Sequence, residues 1–252
     1  MDQEERKKFI LQKLEKHEKV SLRELSNRFN VSEMTVRRDF NDLERRGLLI
    51  RKYGGAVKTE AAESMFSFNR RVETSGLQKQ KICRAAVPFI EDGDIIFIDC
   101  GTTLYRLAGL VKHRRIRVIT NSLPVVSELM TSPAIKLTFI GGDIDADRKA
   151  SYGQIAERTI REFSADKAFL GADGISLNHG LSSYDEKEAM ITKTMAEQSA
   201  AVFLLCDSSK IEKDSYFRFA PVDIIHYLIT DAMQQPELIE PYRTKGITIV
   251  TG

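Results

Sequence analysis

Five short polar segments in this chain carry residue types suited to holding an anion, and each follows an apolar run. Asp99-Cys100-Gly101-Thr102-Thr103 follows Ile95-Ile96-Phe97-Ile98, and Thr120-Asn121-Ser122 follows Arg117-Val118-Ile119. Gly141-Gly142, Gly171-Ala172-Asp173-Gly174 and Asp207-Ser208-Ser209-Lys210 come after three further apolar stretches. Gly101 lets backbone approach a ligand, while two hydroxyls and the amides that open a helix can coordinate a phosphate. Lys210 supplies the cation. Taken singly, each segment reads equally well as an ordinary turn, with Thr102, Thr103, Ser208 or Ser209 capping a helix. Five on one edge of a sheet imply a pocket.

A different chemistry is written between Val31 and Ala56. Ser32 is suited to cap a helix, in which Val36, Phe40 and Leu43 recur at helical spacing and point inward. Thr35, Arg37, Arg38 and Asn41 fall on the opposite face, where water or a DNA groove can meet them. Gly47 is the expected helix stop. Leu48 to Tyr53 reads as a strand carrying Arg51 and Lys52, and Gly54-Gly55 as a tight hairpin turn. The alternative for the basic run is a solvated helix face, since acidic and basic residues alternate from Asp42 to Arg46. Cap, helix, stop and hairpin in this order favour DNA reading. Asp39, unfavourable beside phosphate, is expected to orient arginines instead.

The elements that position these groups follow from periodicity. Arg6, Phe9, Ile10 and Leu14 make a first amphipathic helix ending near His17. Ser21 and Glu24 have capping-box spacing and open a second helix to about Phe29. A turn centred on Asn30 completes a helix-turn-helix followed by a wing. Residues 1–58 hold 15 Lys and Arg against 10 Asp and Glu, a charge of +5. The rest of the 252-residue chain carries −3, so the positive charge is concentrated where phosphate contacts are expected.

Residues 59–67 read as a polar linker, and residues 68–252 as an α/β domain. A single helix is expected from Phe68 to Ile90, with Ile82, Ala85, Ala86 and Phe89 buried. Beyond Gly93 come strands near Ile95–Ile98, Arg117–Ile119, Leu137–Ile140, Ala168–Leu170, Val202–Leu205, Ile224–Ile229 and Ile247–Val250. Helices are expected at Leu104–Val111, Leu123–Met130, Ile155–Glu162 and Ala189–Ala200. Continuous apolar strands alternating with helices predict a mostly parallel sheet covered on both faces. Ligands of such sheets collect beyond the carboxyl ends of the strands.

Cys83, Cys100 and Cys206 are too few and too far apart for a disulfide framework or a zinc site, and the four histidines are dispersed. Neither metal nor cofactor is expected. With no apolar leader and no run of ~20 apolar residues, the expected location is the cytoplasm, with no membrane partner.

The pattern Arg6-x3-Ile10-x3-Leu14, then Ser32-x2-Thr35-Val36-Arg37-Arg38-Asp39-Phe40, with Arg51-x2-Gly54-Gly55-Ala56 in the wing, resembles the DeoR/GlpR family of bacterial transcriptional regulators. The resemblance continues through the polar loops, which are similar to a family effector domain with the fold of ribose-5-phosphate isomerase. It implies a regulator, expected to repress a carbohydrate operon, that binds operator DNA as a dimer or tetramer. It also implies a phosphorylated sugar or related metabolite as effector. Asp99, Gly101, Thr102, Thr103, Asn121, Ser122, Asp173 and Lys210 would line that pocket. Tyr184, Asp185 and Glu188 lie in a region that varies with the inducer in the family, and so would select it. Their other reading is a charged helix N-terminus favoured by the dipole. The rival function is a phosphosugar isomerase, which needs a positioned carboxylate base and a partner that stabilises an enediolate. Against it, Leu170 stands where the isomerase motif has an Asp. His179-Gly180-Leu181-Ser182-Ser183 stands in place of its lysine and glycine run.

Overall fold

The computed structural model describes residues 2–45, 48–59, 68, 71–231 and 236–252. They divide into two compact units, Met1–Arg71 and Val72–Gly252.

In the first unit, α1 (Gln3–Lys16), β1 (Lys19–Ser21), α2 (Leu22–Phe29) and α3 (Glu33–Arg45) precede a hairpin of β2 (Leu49–Lys52) and β3 (Gly55–Lys58). Each helix start is capped by the residue its chemistry favours. Asp2 and Glu5 close a reciprocal capping box on α1. Ser21 Oγ accepts from the Glu24 amide, and Ser32 Oγ from the Thr35 amide at 3.2 Å. Asn30 takes the left-handed conformation, φ 52°, that ends α2 and turns the chain into α3. Ile10, Leu14, Leu25, Val36, Phe40, Leu43 and Leu49 form one core.

The wing turns one residue earlier than expected. Tyr53-Gly54 forms the loop, with Gly54 at φ 75°, and Gly55 already pairs with Lys52 and with Ser21 across the central strand β3. Glycine is required there, because a Cβ at Gly55 would sit 2.1 Å from the Val20 carbonyl oxygen. The helix stop expected at Gly47 and the linker residues 60–67 lie outside the described residues.

The second unit opens on α4 (Gly76–Ala86). The uninterrupted helix expected from Phe68 to Ile90 does not form. Ser75 adopts φ 55°, and a 3-10 turn, Val87–Phe89, follows α4 where Pro88 removes a donor. Ile82, Cys83 and Ala86 are buried, while Ala85 and Phe89 are only partly so. Then come β4 (Ile95–Ile98), α5 (Thr102–Val111), β5 (Arg117–Thr120), α6 (Leu123–Leu129), β6 (Lys136–Phe139), β7 (Asp143–Asp145), β8 (Ala150–Tyr152) and α7 (Gln154–Arg161). They are followed by β9 (Ala165–Leu170), β10 (Gly174–Ser176), β11 (Gly180–Ser183), α8 (Glu186–Glu197), β12 (Ser199–Leu205), β13 (Phe217–Ala220), β14 (Tyr227–Thr230), α9 (Glu240–Thr244) and β15 (Thr248–Thr251).

Among the described residues, seven strands form one parallel sheet in the order β15-β14-β12-β9-β4-β5-β6. Successive strand residues face opposite sides, so Phe97 and Ile119 enter one core while Ile96, Ile98 and Val118 enter the other. That two-sided burial is why these strands are apolar throughout.

Three features depart from the expected pattern. A hairpin, β7–β8, and a three-stranded antiparallel sheet, β10-β11-β13, form apart from the parallel sheet. Their short strands, several rich in Gly and Ser, carry little propensity signal. The strand expected at Ile224–Ile229 is shorter, because Val222–Ile224 forms a 3-10 turn after Pro221 and pairing begins at Tyr227. The helix expected at Ala189–Ala200 starts at Glu186, capped by Asp185, and ends at Glu197, since Ser199 already pairs with Ala165 in the sheet. Among the described residues, no helix is long and apolar enough to cross a membrane.

Candidate functional site

On α3, Val36, Phe40 and Leu43 are buried while Arg37, Arg38 and Asn41 are exposed. Thr35 is half-buried, with its hydroxyl 3.0 Å from that of Ser32. Arg37 lies 4.0 Å from Glu33, and both side chains are more than half exposed. Asp39 points into the module, not toward the exposed face. Its carboxylate accepts from Arg6 Nε at 2.7 Å and Nη2 at 3.2 Å, with Asp39 1% exposed and Arg6 11%. Beside it, Lys7 pairs with Glu4 and Asp42. Inward carboxylates therefore meet cations of α1, leaving Arg37 and Arg38 outward. In the wing, Lys52 is exposed, and Arg51 is held by Glu44 and Asn41.

In the second unit, parallel pairing sets the expected loops side by side. The β12, β9, β4 and β5 ends are consecutive neighbours, so Lys210, Asp173, Asp99 and Asn121 follow one edge of the sheet. Gly101, at φ 117°, offers no side-chain cap to α5, whose first residues Thr102 and Thr103 are partly exposed. Lys210 Nζ donates to the Ala172 carbonyl at 2.7 Å and lies 3.9 Å from Asp173, with a third of its side chain exposed.

Several expected pocket residues are engaged in the floor beneath this edge. Asp99 is 2% exposed and accepts from the Cys100 amide at 2.7 Å, Thr192 Oγ1 at 2.9 Å and the Gly171 amide at 3.4 Å. It ties the ends of β4 and β9 to the middle of α8. Ser122 caps α6, accepting from the Val125 amide. Asn121 is fully buried; its Nδ2 donates to the Ser151 carbonyl at 2.9 Å, and its Oδ1 has no partner. Asp173 accepts from Ser183 Oγ and the Tyr184 amide, and Tyr184 is 69% exposed. Asp185 accepts from the Glu188 amide at 2.9 Å as the cap of α8.

Glu188 joins a cluster that loop composition did not reveal. Its carboxylate lies 3.3 Å from Arg148 Nη2 and 3.8 Å from Cys100 Sγ, which is 3.3 Å from the Tyr152 hydroxyl. Arg148 and Tyr152 belong to the β7–β8 hairpin, so they join the site only because that hairpin forms. The sole sequence signal was one arginine in the polar run Gly141–Lys149. Burial pushes the Glu188 carboxyl up to about 7, opposed by Arg148 and reinforced by Asp99, Asp173 and Asp185. Burial also raises Asp99 to about 6, against its hydrogen bonds from Thr192, Cys100 and Gly171.

Both carboxyls thus bind protons more tightly in the folded than in the unfolded chain. Stability from these two groups falls as pH rises from about 4 to about 7 and is fully lost above that window. Glu188→Gln removes the Glu188 share of that pH dependence, roughly 3 kcal/mol at ~1.4 kcal/mol per pKa unit. Thermal melts between pH 5 and 8 should be flatter for the variant than for wild type; equal slopes would contradict the burial of an ionisable Glu188.

Residues 6–61 match the family profile of the DeoR-like helix-turn-helix domain, and residues 75–232 that of the DeoR C terminal sensor domain. A putative aga operon transcriptional repressor of Escherichia coli O157:H7 is 30% identical over 251 residues, covering 98% of this chain and 93% of that protein. A lactose phosphotransferase system repressor of Lactococcus lactis subsp. lactis is 33% identical, covering 96% of each. Among solved structures, ribose 5-phosphate isomerase A of Methanocaldococcus jannaschii aligns over 54% of each chain at 19% identity, with a TM-score of 0.40. The chain belongs to the DeoR family of helix-turn-helix transcriptional regulators.

Proposed function

We propose that this chain represses a carbohydrate operon in the cytoplasm and leaves its operator when a phosphorylated sugar or related metabolite binds. Residues 1–58 form the operator-reading module, 59–67 the linker and 68–252 the effector domain. Supporting the DNA reading is the outward basic face of α3, created by the inward pairing of Asp39 with Arg6. In this reading Ser32 and Thr35 approach the backbone, Arg37 and Arg38 reach base edges or phosphates, and Lys52 meets phosphate from the wing. Arg37→Ala and Arg38→Ala should each weaken binding by about 1–3 kcal/mol if the contact is to a base. The probe is the duplex that the wild-type chain recovers from a random-sequence pool. Wild-type affinity in both variants would remove α3 from the reading role.

The effector reading rests on one observation: the uncapped start of α5 lies on the same sheet edge as Lys210. Amides of Thr102 and Thr103, their hydroxyls and the Lys210 ammonium would surround a phosphate. Glu188 and Asp185, with Tyr184 at the rim, would read the sugar. Asp99, Asn121 and Ser122 hold the loops that carry these groups. Asp185 is occupied as a helix cap and Glu188 by Arg148, which favours binding over catalysis. An assay for aldose–ketose interconversion of sugar phosphates should show no turnover. One winged module covers one half-site, so operator binding should need at least a dimer; sedimentation of a monomer on the duplex would contradict this.

A further inference from the structure

The wing arginine is not a loose cation. Glu44, on the last turn of α3, accepts from the Arg51 backbone amide at 3.0 Å with one oxygen and from Arg51 Nε at 2.5 Å with the other. Asn41 Oδ1, one turn earlier, accepts from Arg51 Nη1. The Arg51 side chain remains half exposed, and these residues border a concavity of about 420 Å³ with Arg38 and Arg45. Of the five guanidinium N–H groups, two are spent on the protein. The three that remain lie on Nη1 and Nη2.

We infer that Glu44 and Asn41 are positioning residues that hold Arg51 as a rigid fork, presenting Nη1 and Nη2 together to a pair of acceptors on operator DNA. This inference rests on the DNA-reading role of the module. Asn41, whose type and place on α3 suggest a base contact, acts instead through Arg51. The physical gain is preorganisation: an arginine already fixed loses less side-chain freedom when it binds, and its planar fork matches two acceptors where a lysine matches one. The Arg51 hydrogen bonds also hold the Glu44 carboxyl below its usual range, keeping it ionised. Paired acceptors exist on DNA as two phosphate oxygens or as two acceptors on a base edge.

The test uses the full chain and the duplex it selects from a random pool. Failure of the wild type to select any sequence would sink the DNA-reading role itself; the outcomes that follow concern the fork alone. Arg51→Lys keeps the charge but not the fork, and should lose on the order of tenfold or more in affinity. Glu44→Ala should lose a similar factor although it removes a negative charge near DNA. The double variant should bind no worse than Arg51→Lys alone, because the two residues act as one unit. Thermal unfolding of each variant checks that the module is intact, and Glu44→Gln, which keeps the amide contact, should fall between wild type and Glu44→Ala.

Single methylphosphonate and 7-deazaguanine substitutions in the duplex then identify the acceptor. The substitution that weakens wild type but not Arg51→Lys marks the phosphate or the base that the fork contacts. Three results would overturn the inference: Arg51→Lys binding as wild type, Glu44→Ala binding as well or better, or losses that add in the double variant. It also fails if every substitution affects Arg51→Lys as strongly as wild type.

Discussion

Asp39→Ala should unfold the first module at ordinary temperature and abolish operator binding, while the second unit keeps its melting transition. The carboxylate is 1% exposed and is paired through two hydrogen bonds with an arginine that is 11% exposed. Removing it takes away the carboxylate that accepts from Arg6 Nε and Nη2, and breaking a buried pair from one side costs about 3–5 kcal/mol. A module of this size has a total stability of only about 3–9 kcal/mol at ~0.05–0.15 kcal/mol per residue. It has one small core to draw on. The loss therefore consumes most of what holds α1 against α3. Replacing both partners by apolar residues, Arg6→Met with Asp39→Leu, should restore much of the stability, since neither charge is then left alone. Calorimetry resolves the outcome: a wild-type first transition in Asp39→Ala would show that the pair does not set the orientation of α3.

The second large effect is expected at Lys210. Lys210→Ala should lose effector affinity by ~1.5–3 kcal/mol, the scale of one charge-assisted contact, and leave DNA binding intact. The phenotype would be a repressor that holds its operator and ignores the inducer. Because Lys210 also donates to the Ala172 carbonyl, alanine removes a loop contact together with the charge. Lys210→Gln retains a donor for that carbonyl and isolates the charge; it should lose nearly as much effector affinity. Isothermal titration with the sugar phosphate that shifts the thermal melt decides the matter. If both variants bind as tightly as wild type, the phosphate sits elsewhere.

What could be read from the residues depended on how local the signal was. Helices α1 to α3 were legible by their apolar spacing, and the caps of α2 and α3 because Ser21 and Ser32 satisfy amides within three residues of themselves. The parallel strands were legible because burial on both faces requires unbroken apolar runs. Long-range features were not. That Asp39 turns from DNA toward an arginine was expected, but not that the arginine is Arg6, 33 residues away; the Glu188 cluster needs Arg148 and Tyr152 from a hairpin with weak strand propensity. Asp99 looked like a ligand group by composition, yet Thr192, 93 residues on, helps make it an internal tie. Gly55 looked like half of a turn, and only the approach of Val20 shows why its side chain must be absent. Residue type announced which groups are polar; packing decided which of them stay exposed.

One molecule should couple an anion at the sheet edge to DNA at the basic helix, and such coupling is a free energy measurable from either side. The most direct measurement is the affinity of the full chain for its selected duplex, by fluorescence anisotropy at fixed salt, across a panel of sugar phosphates and their unphosphorylated sugars. One phosphorylated compound should weaken DNA binding, its parent sugar should not, and Lys210→Gln should shift the response to a higher concentration of that compound, tenfold or more at ~1.5–3 kcal/mol, without changing affinity for DNA alone. An affinity unmoved by every phosphate in the panel, or moved equally by a parent sugar, would contradict it.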